Sequence, residues 1–86
     1  MADISQQSAF TIMQLRDLMR DIPSWSKIVT QMSDDDSFYE AGADSLAFLE
    51  LVAELQRLTG LEFPDDDIEL ISTIAGVVRY VHEKAR

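Results

Sequence analysis

Asp44-Ser45-Leu46-Ala47-Phe48-Leu49-Glu50-Leu51-Val52-Ala53-Glu54-Leu55-Gln56-Arg57-Leu58-Thr59-Gly60 is the stretch that decides the fold. Phe48, Leu51, Val52, Leu55 and Leu58 recur at helical spacing and make one complete core-facing stripe. Asp44-Ser45 suits a helix start, and Gly60 suits the left-handed position just past a helix end. The spacing therefore predicts a helix from about Asp44 to Thr59. Its other side is unusual. Leu46, Leu49 and Ala53 form a second apolar face, bordered by Asp44, Glu50 and Glu54. Such a helix either buries both faces or buries one and docks with the other. A chain of 86 residues has little to cover both, so the second face is read as a docking face.

Upstream, Ile12, Leu15, Leu18, Met19 and Ile22 predict a helix over Ser8 to Asp21, capped by Ser8 and ended by Pro23, with Thr11, Gln14, Arg16, Asp17 and Arg20 on the polar side. Met13 and Met19 read as ordinary core or as a pliable lining. Pro23 to Asp44 reads mostly as a long connection, with a short helical turn over Ser24 to Val29 and with Trp25, Ile28 and Phe38 as its anchors. Downstream, Phe63-Pro64 leads into Asp65-Asp66-Asp67, acids suited to the positive end of a short helix through Ile68, Leu70 and Ile71. Ser72 or Thr73 caps the last helix, whose stripe is Ile74, Val77, Val78 and Val81, with Arg79, Glu83, Lys84 and Arg86 facing solvent. The expected fold is all-α: a small four-helix bundle of three main helices and one short one, with the long loop between the first and second helices. One domain is expected over residues 1–86, with 1–7 as a disordered N-terminal tail.

Composition narrows function. Sixteen Asp and Glu against seven Lys and Arg give a net charge of −9, a field that repels nucleic acid and anionic lipid. From Asp34 to Glu69 there are twelve acids and one base, Arg57, so the negative field lies on this stretch and suits partners with basic patches. The chain has no cysteine, which excludes disulfides, thiolate metal sites and cysteine nucleophiles and suits the cytoplasm. No signal-peptide pattern and no apolar run of membrane-spanning length is present, so export is not expected.

The acid runs fail as calcium loops. Counting from Asp34, position six is Tyr39 and position twelve Ser45; counting from Asp65, they are Leu70 and Gly76, where the loop needs Gly and Glu. His82 has no second His or Cys near it and reads as a plain surface histidine. Ser45 lacks the G-x-S-x-G setting of a hydrolase nucleophile, and no glycine-rich phosphate loop occurs. No catalytic or metal site is expected. Gly42-Ala43-Asp44-Ser45-Leu46 remains: the glycine permits a sharp turn, and Ser45 then projects at a helix N-terminus, where a phosphate ester meets free N–H groups and the helix dipole.

Phe38-Tyr39-Glu40-Ala41-Gly42-Ala43-Asp44-Ser45-Leu46, Glu50-Leu51-Val52, Phe63-Pro64-Asp65, and Ser72-Thr73-Ile74 through Tyr80-Val81 resemble the acyl carrier and peptidyl carrier protein family, continuously from Met32 to Val81. The resemblance implies a four-helix bundle whose Ser45, flanked by Asp44 and Leu46, receives 4′-phosphopantetheine from coenzyme A through a Mg²⁺-dependent phosphopantetheinyl transferase. The arm's thiol then carries acyl groups as thioesters, and the chain itself catalyses nothing. Leu46, Leu49 and Ala53 would form the apolar centre of transient contacts with acyl- or aminoacyl-loading and chain-modifying enzymes. Asp44, Glu50 and Glu54, with Asp66, Asp67 and Glu69, would steer their basic patches. Ile68 matches a position near the arm and reads equally as core. A monomer is implied.

Three departures point away from housekeeping fatty-acid synthesis. Ala41 replaces a common Leu, Ala47 a common acid, and Gln56-Arg57 stand where acids are frequent. Residues 21–31 have no clear counterpart. A dedicated acyl carrier of a polyketide or related natural-product pathway is the expectation. The alternatives are an aminoacyl carrier of nonribosomal peptide synthesis and a non-carrier acidic adaptor in which Ser45 is only a cap.

Overall fold

A computed structural model describes residues 10–84 of the chain, and these are all-helical, with no strand among them. The helices are α1 (Ile12–Arg20), α2 (Ile28–Gln31), α3 (Ser45–Thr59), a 3₁₀ helix (Asp65–Ile71) and α4 (Ile74–Lys84). The helical bundle expected from the periodicity is the architecture found. The one-turn α2 is the helical segment foreseen in the long connection, shifted a few residues downstream. The proposed Ser8 cap and the tail over residues 1–7 lie outside the described residues.

The helix α1 begins later than its periodicity suggests. Thr11 is its N-cap: the Thr11 hydroxyl accepts from the Gln14 N–H at 3.1 Å, and the Thr11 N–H donates to Gln14 Oε1 at 2.9 Å. This reciprocal box satisfies donors at the helix start, so Thr11 is a terminus and not a mid-helix polar residue. Leu15 and Met19 are buried, Ile12 and Leu18 half-buried, and Met13 is 73% exposed, which places Met19 in the core and removes Met13 from it.

Arg16 is the larger correction. It sits on the side of α1 expected to face solvent, yet it is half-buried and clamps the connection. Its Nη2 and Nε donate to Asp34 Oδ1 at 2.7 and 3.2 Å, its Nη1 to the Val29 carbonyl at 3.0 Å and its Nη2 to the Met32 carbonyl at 3.0 Å. The planar guanidinium meets three acceptors at once, which a lysine ammonium cannot do in the same geometry.

The connection is therefore built, not loose. Trp25, Val29 and Phe38 are fully buried, with Trp25 edge-on to Phe38 at 5.1 Å between centroids. Each such side chain contributes on the order of 1.5–3 kcal/mol through burial. Backbone bonds fasten the far end of the connection: the Phe38 N–H donates to the Ser72 carbonyl and the Ala75 N–H to the Asp34 carbonyl, both at 2.9 Å. Of the three anchors read from sequence, Trp25 and Phe38 are core and Ile28 is half-buried.

The bounds of α3 match those read from the sequence, with Asp44 as N-cap and Gly60 in the left-handed region at φ 73°. Phe48, Leu51 and Leu55 are buried and Val52 half-buried, but Leu58 is 56% exposed. Its angle around the helix is core-facing; its place in the final turn leaves it uncovered.

The acidic segment after Pro64 is a 3₁₀ helix, wound tighter than the α-helical turn its spacing suggests. It packs on α4, where Gly76 makes the contact possible: a Cβ there would stand 2.5 Å from the Leu70 carbonyl oxygen. Ile74, Val77 and Val81 are buried as expected, Val78 is half-buried, and Tyr80 joins them in the core. The Tyr80 ring stacks on Phe63 at 5.3 Å, and its hydroxyl donates to Asp67 Oδ2 at 2.6 Å. Burial first, and the Asp67 carboxylate second, push the Tyr80 phenol up from 10.0 to about 12. His82 is exposed and lies with Nε2 2.6 Å from the Phe10 carbonyl, holding the entry to α1 against α4.

Candidate functional site

The segment Phe38–Ala47 delivers Ser45 to the surface by burying what flanks it. Phe38 is a fully buried plug, and the Ala43 N–H donates to the Phe38 carbonyl at 3.1 Å, closing a compact turn. Gly42 within that turn has φ 117°, a conformation that side chains disfavour. Ala43 and Ala47 are buried, whereas Asp44, Ser45 and Leu46 between them are exposed. Two small buried residues thus pin the backbone and push the three between them outward.

Asp44 Oδ1 accepts from the Ala47 N–H at 2.9 Å, so its carboxylate is used as a cap. The N–H groups of Ser45 and Leu46 belong to the first turn, which an α-helix leaves without intrahelical acceptors. A dianionic phosphate on Ser45 would meet those donors and the positive end of a 15-residue helix. Ala47 also supports the connection: the Trp25 indole N–H donates to its carbonyl at 2.7 Å. Its small size has a packing reason, because it is buried beside that indole.

The second apolar face is present. Leu46 is 65% and Leu49 61% exposed, and Ala53 is exposed on the same side of α3. The acids expected around it differ in what they do. Glu50 Oε1 accepts from the Ser24 hydroxyl at 2.5 Å, and Glu54 forms an ion pair with Arg57 one turn on. Asp67 is held by Tyr80, which makes it a structural acceptor, while Asp66 and Glu69 are exposed. Ile68 is half-buried against the core and lies on the 3₁₀ helix, apart from the α3 face. Asp44, Ser45, Leu46, Leu49, Glu50, Ala53 and Glu54 are thus gathered on one helix, and Ile68 is not. Sequence reasoning missed Ser24 and Arg57. No local signal could find Ser24, since its contact with Glu50 spans 26 positions.

Fold and site together define a small helical protein that displays one serine hydroxyl at the start of its longest helix, beside an exposed apolar stripe. The chain belongs to the phosphopantetheine attachment site family, whose model matches residues 13–81. Among its relatives, the "Acyl carrier protein" of Chloroherpeton thalassium is 39% identical over 57 residues, covering 65% of this chain and 71% of that protein. The "Acyl carrier protein" of Wolinella succinogenes is 40% identical over 52 residues, covering 59% and 68%. No solved structure matches the chain. Membership implies covalent 4′-phosphopantetheine and the role of a carrier on which other enzymes act. An exposed hydroxyl with helix-start donors beside it fits that group. Among the described residues, no helix is long and apolar enough to cross a membrane.

Proposed function

We propose that this chain is an acyl carrier protein whose Ser45 is the attachment point of 4′-phosphopantetheine. The observation that carries the reading is the exposure of Ser45 between buried Ala43 and Ala47 at the first position of α3. When bound, the arm supplies the thiol that this cysteine-free chain lacks and holds acyl groups as thioesters. The chain's own residues do the rest. The N–H groups of Ser45 and Leu46 and the dipole of α3 stabilise the phosphodiester charge. Asp44 fixes the helix start, so the hydroxyl is presented in one direction. Leu46, Leu49 and Ala53 give a small apolar contact that suits brief visits to a phosphopantetheinyl transferase and to acyl-handling enzymes. Asp44, Glu50 and Glu54 favour basic surfaces over acidic ones.

The pathway we propose is a specialised one, polyketide or related natural-product synthesis. Gln56-Arg57 and the residue 21–31 segment support it, whereas the small size of Ala47 is accounted for by its burial. The cysteine-free composition suits the cytoplasm, and a monomer goes with the carrier reading.

Incubation with coenzyme A, Mg²⁺ and a broad-specificity phosphopantetheinyl transferase should add one phosphopantetheine to the wild-type chain by intact mass, and none to Ser45→Ala. An unmodified wild-type chain, or a modified Ser45→Ala chain, refutes the assignment. Intact mass from the native host then identifies the cargo, with an aminoacyl group as the outcome that would overturn the acyl reading.

A further inference from the structure

Three aromatic rings lead outward from the core to the turn that displays Ser45. Phe38 is fully buried, Phe48 of α3 lies 6.3 Å from it between ring centroids, and Tyr39 lies 5.8 Å from Phe48 at an interplanar angle of 38°. Tyr39 is 47% exposed, yet it is held at both ends. Its ring rests on Phe48, and its carbonyl accepts from the Gly42 N–H at 3.1 Å within the turn before Ser45. Phe48 stands three residues after Ser45, so their Cβ atoms are about 5–6 Å apart on the helix surface. Helical side chains lean towards the N-terminus, which brings the Phe48 ring, and Tyr39 on it, alongside the turn that carries Ser45.

Around α3, Ser45 stands between Phe48 at i+3 and Leu49 at i+4, so a group attached to its hydroxyl can lie along either flank. Chemistry favours the Tyr39 side. A pantetheine chain carries an apolar dimethyl carbon near its phosphate end, followed by a hydroxyl and two amides, and it suits a surface that is apolar with a polar edge. Tyrosine is such a surface, a broad apolar ring ending in a hydroxyl that donates and accepts. Leu49 offers apolar contact alone. The tether singles out the occupant, because attachment at Ser45 gives the arm an effective concentration on the order of 1 mM at its neighbours. A contact with Kd of about 1 mM, too weak to retain a free molecule, is then about half occupied.

We propose that Tyr39 is the resting place of the phosphopantetheine arm, its ring packed on the dimethyl carbon and its hydroxyl bonded to an amide of the chain, with the phosphate left at the start of α3. An arm at rest there leaves Leu46, Leu49 and Ala53 uncovered, so the apolar stripe is free to meet an enzyme while the thiol waits on the other flank. The proposal rests on the carrier reading and adds to it a binding residue for the arm.

The test uses the full chain, isotope-labelled and loaded with an unlabelled arm from coenzyme A. Isotope-filtered nuclear Overhauser spectra should show contacts from the arm's methyl protons to the Tyr39 ring, and the methyl resonances should lie away from their positions in coenzyme A. Tyr39→Phe should keep those contacts and move the arm's amide resonances. Tyr39→Ala should return the methyl resonances to their coenzyme A positions; should that variant fail to fold, the wild-type contacts decide by themselves. Contacts that leave out Tyr39, whether they fall on Leu49 or on no side chain, overturn the proposal. So do methyl resonances unmoved between wild type and Tyr39→Ala, or amide resonances unmoved in Tyr39→Phe. Failure of the wild-type chain to take up phosphopantetheine is a separate result and strikes the attachment reading.

Discussion

The Trp25 indole donates its N–H to the Ala47 carbonyl at 2.7 Å, tying the connection between α1 and α3 to the turn that displays Ser45. The Ala47 carbonyl belongs to a helix, so the indole shares an acceptor at the very place where the backbone must be held still. Trp25→Phe keeps an aromatic ring but loses that donor and part of the buried volume. It should destabilise the fold by about 2–3 kcal/mol. Urea denaturation followed by circular dichroism measures this; a loss under about 0.5 kcal/mol would show that the contact does not fasten the connection.

Arg16 joins α1 to three acceptors on the connection. Arg16→Lys preserves the charge and removes the planar fork, leaving at least one of the Val29 and Met32 carbonyls and Asp34 without its partner. The expected cost is about 1–3 kcal/mol. Hydrogen exchange should show faster opening of residues 28–34, and uniform protection there would contradict the clamp.

Gly76 and Gly42 separate two reasons for glycine. At Gly76 a methyl group would stand 2.5 Å from the Leu70 carbonyl oxygen, so Gly76→Ala must push the 3₁₀ helix from α4, at about 1–3 kcal/mol. At Gly42 nothing lies within 4 Å of a Cβ, and only its φ of 117° resists substitution. Gly42→Ala should cost about 1–2 kcal/mol and disturb amide shifts around Asp44 and Ser45, leaving those of α4 in place. The two patterns of nuclear magnetic resonance shifts should not overlap.

Tyr80 gives a pH signature. Its phenol is raised from 10.0 to about 12 in the fold, chiefly by burial and then by Asp67. The neutral phenol is favoured by folding, so this stability is complete below pH 10.0 and is lost as the pH rises towards 12. The loss is on the order of 2–3 kcal/mol. In Tyr39→Phe, Tyr80 is the remaining tyrosine, and its ultraviolet titration should have its midpoint near 12 or track alkaline unfolding. A fully folded protein titrating near 10 would rule the shift out.

The contact between Ser24 and Glu50 shows where sequence reading stops. The two faces of α3 were legible because 3.6-residue periodicity is local: Phe48, Leu51 and Leu55 lie inward for the same reason that Leu46 and Leu49 lie outward. Asp44 and Gly60 were legible because each end of a helix has its own chemistry. Gly42-Ala43-Asp44-Ser45-Leu46 was legible as a display of Ser45, since a turn residue, a cap and a hydroxyl occur in that order. Ser24 carries no such mark, because a serine in a turn looks the same whether or not a glutamate comes to meet it.

The sequence by itself determined that this chain is helical, where its longest helix starts and stops, and which family it resembles, all properties of residues near one another in the chain. Only the tertiary structure decided that Arg16 turns inward, that Leu58 is left uncovered, that Tyr80 and Asp67 pair, and that Asp21 to Ser24 come to lie beside Glu50 and Glu54. Those outcomes depend on how the elements cross. A residue's periodicity names the side of the helix it occupies, whereas its neighbours on that side are chosen by the packing of the whole chain.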